Sequence, residues 1–350
     1  MTCHWRHDIF NMSTVLHSFR LLSLKGLAFR MSSTPSSSFI TSSLQHLGSV
    51  DHPIEIIWTS HPLWPVPSSR AQRKLNISVL DSSFNPPTVA HFALANTPRP
   101  RHEDSSDDYD GKLLLLSVRN ADKQLKPGDA TYTQRIEMMI RLAEDLRDAD
   151  GHGNGSNDNV AVAIIDEPTF VGKSRLLQIF LKERLRSISS SLTPEVDLTF
   201  ILGFDTLERL FALKYYESSE DKMFKALRGF FSQSDGDGSC VACARRNTSS
   251  YPHTSKPPPN SASETNSLSQ TISNFLASSA LPSSCISIID IGEDVWSVSS
   301  SDVREDVGKE SGVTEKSSGE GGFSKGGRRQ WREMVPEHVR RYIIEHDLYK

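Results

Sequence analysis

The sequence predicts an α/β fold built around a doubly wound parallel sheet. Apolar runs of strand length alternate along the chain with segments in which apolar residues recur at helical spacing. The runs are apolar at almost every position, which is typical of strands that helices cover on both faces. The predicted strands are 76–80, 112–118, 160–165, 196–202 and 286–291.

Helical segments follow these strands in order. The first, 88–96, ends just before two prolines, which cannot continue a helix. The second carries apolar residues from Ile136 to Leu146, and Thr131 and Gln134 ahead of it have the spacing of a capping box. Further helices are predicted over 176–185, from 207 onward and over 335–346.

The domain organisation follows from shifts in composition. Residues 51–350 are predicted to form one folded domain behind a tail, residues 1–50. Two polar low-complexity tracts, at about 232–282 and 308–327, are expected to be disordered insertions because they contain little that could be buried. Residues 53–67, which mix apolar residues with prolines, are expected to pack at the edge of the domain.

The tail is basic and rich in serine. Within residues 1–50, four Lys and Arg residues stand against one acidic residue, which fits a mitochondrial transit peptide over residues 1–30. A disordered tail, or translation that begins at Met31, explains the same composition. We therefore expect a cytoplasmic or nuclear protein, or a mitochondrial one if residues 1–30 are a transit peptide.

Several classes of function are disfavoured. A net charge of −4 gives no bulk basic surface for nucleic acid, and no apolar run approaches the roughly 20 residues of a membrane helix. The segment 172–174 reads Gly-Lys-Ser, but Glu167 replaces the glycine that a P-loop requires. Cys240 and Cys243 have no second pair at zinc spacing, so no metal site is predicted. The composition does not indicate an oligomeric state.

Polar segments directly follow four of the predicted strands or lie just beyond them. They are 82–91, 120–123, 203–205 and 298–304. The carboxyl ends of parallel strands meet at one edge of a sheet, where ligands bind. Thr88 and His91, three residues apart at a predicted helix start, share one face and can reach the same phosphate. This edge is therefore predicted to bind an anion.

Two of these segments resemble the motifs of one enzyme family. Residues 82–91 read Ser-Ser-Phe-Asn-Pro-Pro-Thr-Val-Ala-His, and residues 298–304 read Val-Ser-Ser-Ser-Asp-Val-Arg. Together with Val-Pro-Glu-His-Val-Arg-Arg-Tyr-Ile at 335–343, they resemble the nicotinamide/nicotinate mononucleotide adenylyltransferases, of the nucleotidyltransferase superfamily with a Thr/His-x-Gly-His motif. The resemblance covers 74–349 apart from the polar tracts, looks most like a fungal branch, and implies a Rossmann-like nucleotidyltransferase fold.

Two positions depart from the family pattern. Ser82 and Ala90 stand where the family has glycine, a residue that permits close approach of the backbone to phosphate. Serine and alanine are small replacements, so we expect the turn to survive. Whether they reduce catalytic efficiency is not determined by the sequence.

The resemblance implies roles for particular residues. The implied catalytic residues are His91, Thr88 and Arg304. The implied ATP-binding residues are Ser83, Phe84, His91, Asp205, Ser300, Ser301 and Arg304. The implied mononucleotide-binding residues are Asn85, Lys123, Arg135 and Tyr215. Mg²⁺ is expected to arrive with ATP and to need few protein ligands.

Some of these assignments have structural alternatives. Asp205 is also a favoured helix N-cap, and Lys123 could belong to a solvated loop. Arg135 could be an ordinary exposed helical arginine, and Tyr215 could pack in the core.

The implied reaction transfers the adenylyl group of ATP to nicotinamide or nicotinate mononucleotide, giving NAD or deamido-NAD and pyrophosphate. Small nucleotides are then the expected partners, without nucleic acid or membrane. The sequence leaves two alternatives open: another nucleotidyltransferase of the same fold with a different phosphorylated acceptor, and a nucleotide-binding regulatory protein with little turnover.

Overall fold

The structure, a computed structural model, describes residues 34–48, 52–67, 74–100, 108–119, 127–149, 159–188, 195–244, 261–313 and 330–350. Within these ranges the chain forms one seven-stranded sheet. The strands are β1 (Ile54–Thr59), β2 (Lys74–Asp81), β3 (Gly111–Ser117), β4 (Val160–Ile165), β5 (Glu195–Leu202), β6 (Cys240–Ala244) and β7 (Ile286–Ile289).

Helices connect and cover these strands. The α-helices of the described residues are α1 (Ser37–His46), α2 (Val89–Ala95), α3 (Tyr132–Asp148), α4 (Phe170–Ile188), α5 (Phe204–Leu210), α6 (Glu220–Phe231), α7 (Ser261–Ser278), α8 (Ser300–Val313) and α9 (Glu337–Glu345). Short 3₁₀ helices lie at Leu213–Tyr216, Ser283–Cys285 and Trp331–Glu333. No helix among the described residues has both the length and the apolar character that a membrane span requires.

The strand order confirms the predicted fold class. Across the sheet the order is β1-β4-β3-β2-β5-β6-β7, and β2 to β7 all run parallel to one another. Counted from β2, the parallel strands stand in the order 3-2-1-4-5-6, which is the doubly wound order of the Rossmann fold. β1 adds an antiparallel edge strand beside β4, as the proline-containing segment 53–67 suggested.

The core lies on both faces of the sheet because residues within each strand alternate between them. In β3, Leu114 and Leu116 pack on the face that carries α1, α2, α3, α8 and α9. Leu113 and Leu115 pack on the other face, with α4, α5 and α6. This double coverage explains why the predicted strands are apolar throughout.

The strand order also locates a crevice. The order reverses between β2 and β5, and in open parallel sheets the ligand crevice lies outside the carboxyl ends of the strands at such a point. Ser82 follows β2 and Gly203 follows β5, so both emerge there.

The structure corrects the expectation for residues 232–282. This segment contains β6, whose residues pair with β5 on one side and with β7 on the other, and it also contains α7. The five residues of β6 are small, and polar residues flank them on both sides. The composition of the tract therefore did not predict a strand there. Cys240 and Cys243 belong to this strand, where residues three apart face opposite sides of the sheet, so they cannot share one metal ion.

Two other boundaries also shift. α1 begins inside the expected tail, and Ile40 in that helix is fully buried in the core. α8 runs to Val313, into the second polar tract. The proposed transit peptide over residues 1–30 and the segment 120–123 with Lys123 lie outside the described residues.

Candidate active site

The loop from Ser82 to Thr88 joins β2 to α2 and forms the floor of the crevice. Phe84 in this loop is fully buried and adopts a left-handed backbone conformation with φ 44°. Its ring packs against the His91 ring, with centroids 5.3 Å apart. The Phe84 side chain therefore supports His91 from the core.

Hydrogen bonds hold both ring nitrogens of His91. Nδ1 accepts a hydrogen bond from the backbone N–H of Thr88 at 3.1 Å, and the Thr88 hydroxyl lies 2.9 Å from the same nitrogen. Nε2 lies 2.9 Å from Oγ of Ser82. Because a backbone N–H can only donate, Nδ1 must be unprotonated, and the neutral ring carries its proton on Nε2.

Burial favours the neutral form of this histidine. Desolvation lowers the pKa of His91 from 6.5 to about 4. At neutral pH the ring is therefore an uncharged donor through Nε2, and it contributes no positive charge.

Thr88 lies on the Nδ1 side of the His91 ring, opposite the Nε2 atom that faces Ser82. Thr88 is fully buried, and its hydroxyl can serve only as a donor to the unprotonated Nδ1. The resemblance implies that Thr88 offers a hydroxyl to substrate. In this structure it orients the histidine ring instead.

The late motif lies against the opening motif. Nη1 of Arg304 donates to the backbone oxygens of Asn85 and Ser300, and Nη2 donates to Oγ of Ser301. Ser300 donates from Oγ to the backbone oxygen of Pro86 at 2.7 Å. The segments around residues 88 and 301 are therefore in direct contact.

A carboxylate that the sequence analysis did not identify joins these elements. Oδ1 of Asp129 accepts a hydrogen bond from Nδ2 of Asn85 at 2.8 Å. The same carboxylate lies 3.5 Å from Nη2 of Arg135 and 3.7 Å from Nε of Arg304. Tyr349 completes the cluster, because its hydroxyl donates to Oδ1 of Asn85 at 3.0 Å. In the sequence, Asp129 after a glycine is typical of a turn, and nothing there indicates this role.

Arg135 is buried rather than exposed. It donates from Nε to the backbone oxygen of Ala130 at 2.9 Å and from Nη1 to that of Ser83 at 3.4 Å. Burial lowers its pKa, and the neighbouring charge of Asp129 opposes that shift. Its guanidinium therefore braces the opening loop, and the alternative of an ordinary exposed arginine is wrong.

The remaining predicted residues follow β5. Asp205 is exposed in the first turn of α5, directly beyond the carboxyl end of that strand, and so borders the crevice. Tyr215 is half-buried, with Nζ of Lys214 at 4.7 Å from its ring centre. The adjacent Tyr216 packs against the core and donates to the backbone oxygen of Leu210 at 2.7 Å.

Among the described residues, no group of three or more His, Cys, Asp or Glu side chains is arranged to hold a metal ion. The carboxylate nearest the two arginines, Asp129, is already bonded to Asn85.

Comparison with known proteins identifies a fungal relative by sequence. No protein-family model matches the chain. The chain is 37% identical over 157 residues to a Schizosaccharomyces pombe protein named "Putative nicotinamide mononucleotide adenylyltransferase". The match covers 45% of this chain and 49% of that protein, so it spans about half the length of the relative. It confirms the resemblance to this family and to its fungal branch.

Among solved structures, the chain matches the nicotinic acid mononucleotide adenylyltransferase of Plasmodium falciparum complexed with APC. The sequences are 14% identical, the TM-score is 0.39, and the match covers 79% of this chain and 97% of the other.

Proposed function

We propose that this protein is a nucleotidyltransferase that joins the adenylyl group of ATP to nicotinamide or nicotinate mononucleotide. The products are NAD or deamido-NAD and pyrophosphate. The contact of Arg304 with the opening loop at Asn85 carries the proposal, because it joins the two motifs through residues that are 219 positions apart. The resemblance and the fungal relative support the same reaction.

The chemistry needs alignment and charge neutralisation. A phosphate oxygen of the mononucleotide forms a bond to the α-phosphorus of ATP. The bond from that phosphorus to the bridging oxygen breaks, and pyrophosphate leaves with the electron pair. No covalent bond to the protein is required, so the side chains act by positioning and by stabilising negative charge.

The residues divide this work according to where they lie. His91 supplies a neutral donor through Nε2, held in orientation by Thr88. Arg304 is part-exposed, and its planar fork suits the oxygens of the departing pyrophosphate. Ser300 and Ser301 place this arginine at the start of α8.

The other proposed contacts follow the family resemblance. On the ATP side these are Ser83, Asp205 and the loop at Phe84. On the mononucleotide side they are Asn85, Lys123, Arg135 and Tyr215. A Mg²⁺ ion carried by ATP would supply charge neutralisation at the phosphates.

The test is a direct assay of transfer. Purified protein is incubated with ATP, Mg²⁺ and either mononucleotide, and dinucleotide and pyrophosphate are quantified. His91→Ala is expected to lower kcat by about 10²–10³, the usual loss for one donor to a reacting phosphate or oxyanion. His46→Ala is the matched control, since His46 is exposed on α1, and it should keep the full rate.

The assay also separates the alternatives. Wild-type turnover in folded His91→Ala protein would refute the assigned mechanism. Pyrophosphate release with another phosphorylated acceptor, but with neither mononucleotide, would indicate a different nucleotidyltransferase. ATP binding without any transfer would indicate a regulatory protein.

A further inference from the structure

The residue that departs from the family pattern, Ser82, contacts the proposed catalytic histidine. Oγ of Ser82 lies 2.9 Å from Nε2 of His91. Both side chains are partly buried, and the backbone N–H of Ser82 is bonded to the carbonyl oxygen of Leu115 in β3. The hydroxyl is therefore held at the end of β2, in the crevice.

The direction of this hydrogen bond follows from the other side of the ring. Nδ1 faces the backbone N–H of Thr88, so the ring proton is on Nε2. His91 must donate and Ser82 must accept. A hydroxyl that accepts in this way still has its own proton to donate, and acceptance by its oxygen makes that proton a stronger donor.

The ring has little freedom to turn away from Ser82. Two donors from Thr88 hold Nδ1, and Phe84 packs against the ring. A phosphate that bound Nε2 directly would have to displace a hydroxyl held beside that nitrogen by the strand. A phosphate that binds the Ser82 hydroxyl leaves every hydrogen bond of the histidine intact.

We propose that Ser82 is a catalytic residue, whose hydroxyl donates to the reacting phosphate while it accepts the Nε2 proton of His91. This inference rests on the proposed function. In place of the direct phosphate contact that the family resemblance implies, His91 then acts as a positioning residue, the middle member of a chain that runs from Thr88 through the ring to Ser82. The hydroxyl keeps its proton throughout, because the phosphate oxygen attacks and pyrophosphate leaves without proton transfer to the protein.

The kinetic test is a double-mutant cycle. Ser82→Ala is expected to lower kcat by about 10² with little change in KM for ATP, because the lost donor acts on the developing charge. Residues that act as a unit have non-additive effects, so the Ser82→Ala/His91→Ala protein should be no slower than His91→Ala alone. Ser187→Ala, at an exposed serine of α4, is the matched control and should retain the full rate.

Two kinetic results would overturn the inference. One is an unchanged or faster Ser82→Ala enzyme, which would mean that the phosphate binds His91 directly once the hydroxyl is gone. The other is a double mutant whose loss equals the product of the single losses.

A second measurement does not depend on turnover. In protein with ¹⁵N-labelled histidine, the His91 ring should show a protonated Nε2 and an unprotonated Nδ1. Ser82→Ala should shift the Nε2 resonance in the free protein and in the ATP-loaded protein. If the wild type makes no dinucleotide, the proposed function fails. The Nε2 resonance then tests the hydrogen bond from His91 to Ser82 on its own. A resonance that Ser82→Ala leaves unmoved, or a proton on Nδ1, overturns the inference.

Discussion

At the scale of single residues, the crevice combines a neutral donor with paired charges. His91 is uncharged because burial lowers its pKa, while Arg135 and Arg304 share the carboxylate of Asp129. Paired guanidinium groups are held in place before a ligand arrives, which lowers the entropy that binding costs. In the proposed reaction, the positive charge of this cluster therefore comes from the two arginines, and His91 contributes an oriented but uncharged donor.

The lowered pKa of His91 predicts a pH-dependent stability. Its pKa is about 4 in the folded protein and about 6.5 when unfolded, so acid protonates the unfolded chain first. The contribution of neutral His91 to the free energy of unfolding is fully present above pH 6.5 and is lost as the pH falls toward 4. The total loss is at most roughly 3 kcal/mol. We expect the stability gap between wild type and His91→Gln, measured by urea unfolding, to narrow from pH 7 to pH 4.5.

The control for this measurement is His46→Gln, which removes an exposed histidine. At pH 7 the free energies of unfolding of the wild type and this variant should differ by only a small amount, as is usual for an exposed surface position. A stability gap between wild type and His91→Gln that stays the same across the pH range would contradict a His91 whose pKa is lowered by desolvation.

The sequence reveals a candidate site residue when that residue belongs to a contiguous motif, and misses one whose role arises only from folding. Thr88, His91 and Arg304 belong to contiguous motifs, so the resemblance identifies them. Asp129 has no motif, and its role exists only because folding places it beside Asn85. The roles of Thr88 and Phe84 also needed the structure, because only its hydrogen bonds and ring contact show that they support His91.

At the scale of elements, the sequence reveals long apolar strands and misses short ones. The continuous run that forms β3 predicts a strand because six consecutive positions are buried between two helical layers. The capping box of Thr131 and Gln134 at α3 is confirmed. β6 is only five residues long, and its burial comes from β5 and β7, which are distant in sequence.

The interior position of β6 predicts a strong effect of a buried charge. Ala242 is fully buried and pairs with Ile201 of β5 and Ser287 of β7. Ala242→Glu should destabilise the fold by more than about 3 kcal/mol, because a carboxylate would be buried without a partner. Chemical unfolding followed by circular dichroism measures this loss.

The matched control lies on the neighbouring edge strand. Ile288 in β7 is 55% exposed, so Ile288→Glu should change stability by only about 0.5 kcal/mol. If both variants unfolded at the same denaturant concentration, β6 would not be an interior strand.

At the scale of the whole molecule, the fold brings distant segments to one point. The opening loop follows β2 at the centre of the sheet, while α8 follows β7 at its edge. The contacts of Ser300 and Arg304 with the opening loop bridge that distance across one face. A site assembled in this way exists only when the complete sheet is formed, so its activity reports on the whole fold.

The segment after α9 also contacts the opening loop, through Tyr349. Burial raises the pKa of Tyr349, so its hydroxyl stays protonated and donates to Asn85 in the opening loop. Tyr349→Phe should cost about 1 kcal/mol of stability and lower kcat/KM about tenfold, since Asn85 loses a partner that holds it beside the arginines. Tyr342→Phe removes a similar hydroxyl, which donates to Glu137 between α9 and α3, away from the crevice. This control should lose comparable stability and keep kcat/KM, whereas equal kinetic losses in both variants would show that Tyr349 acts only through general stability.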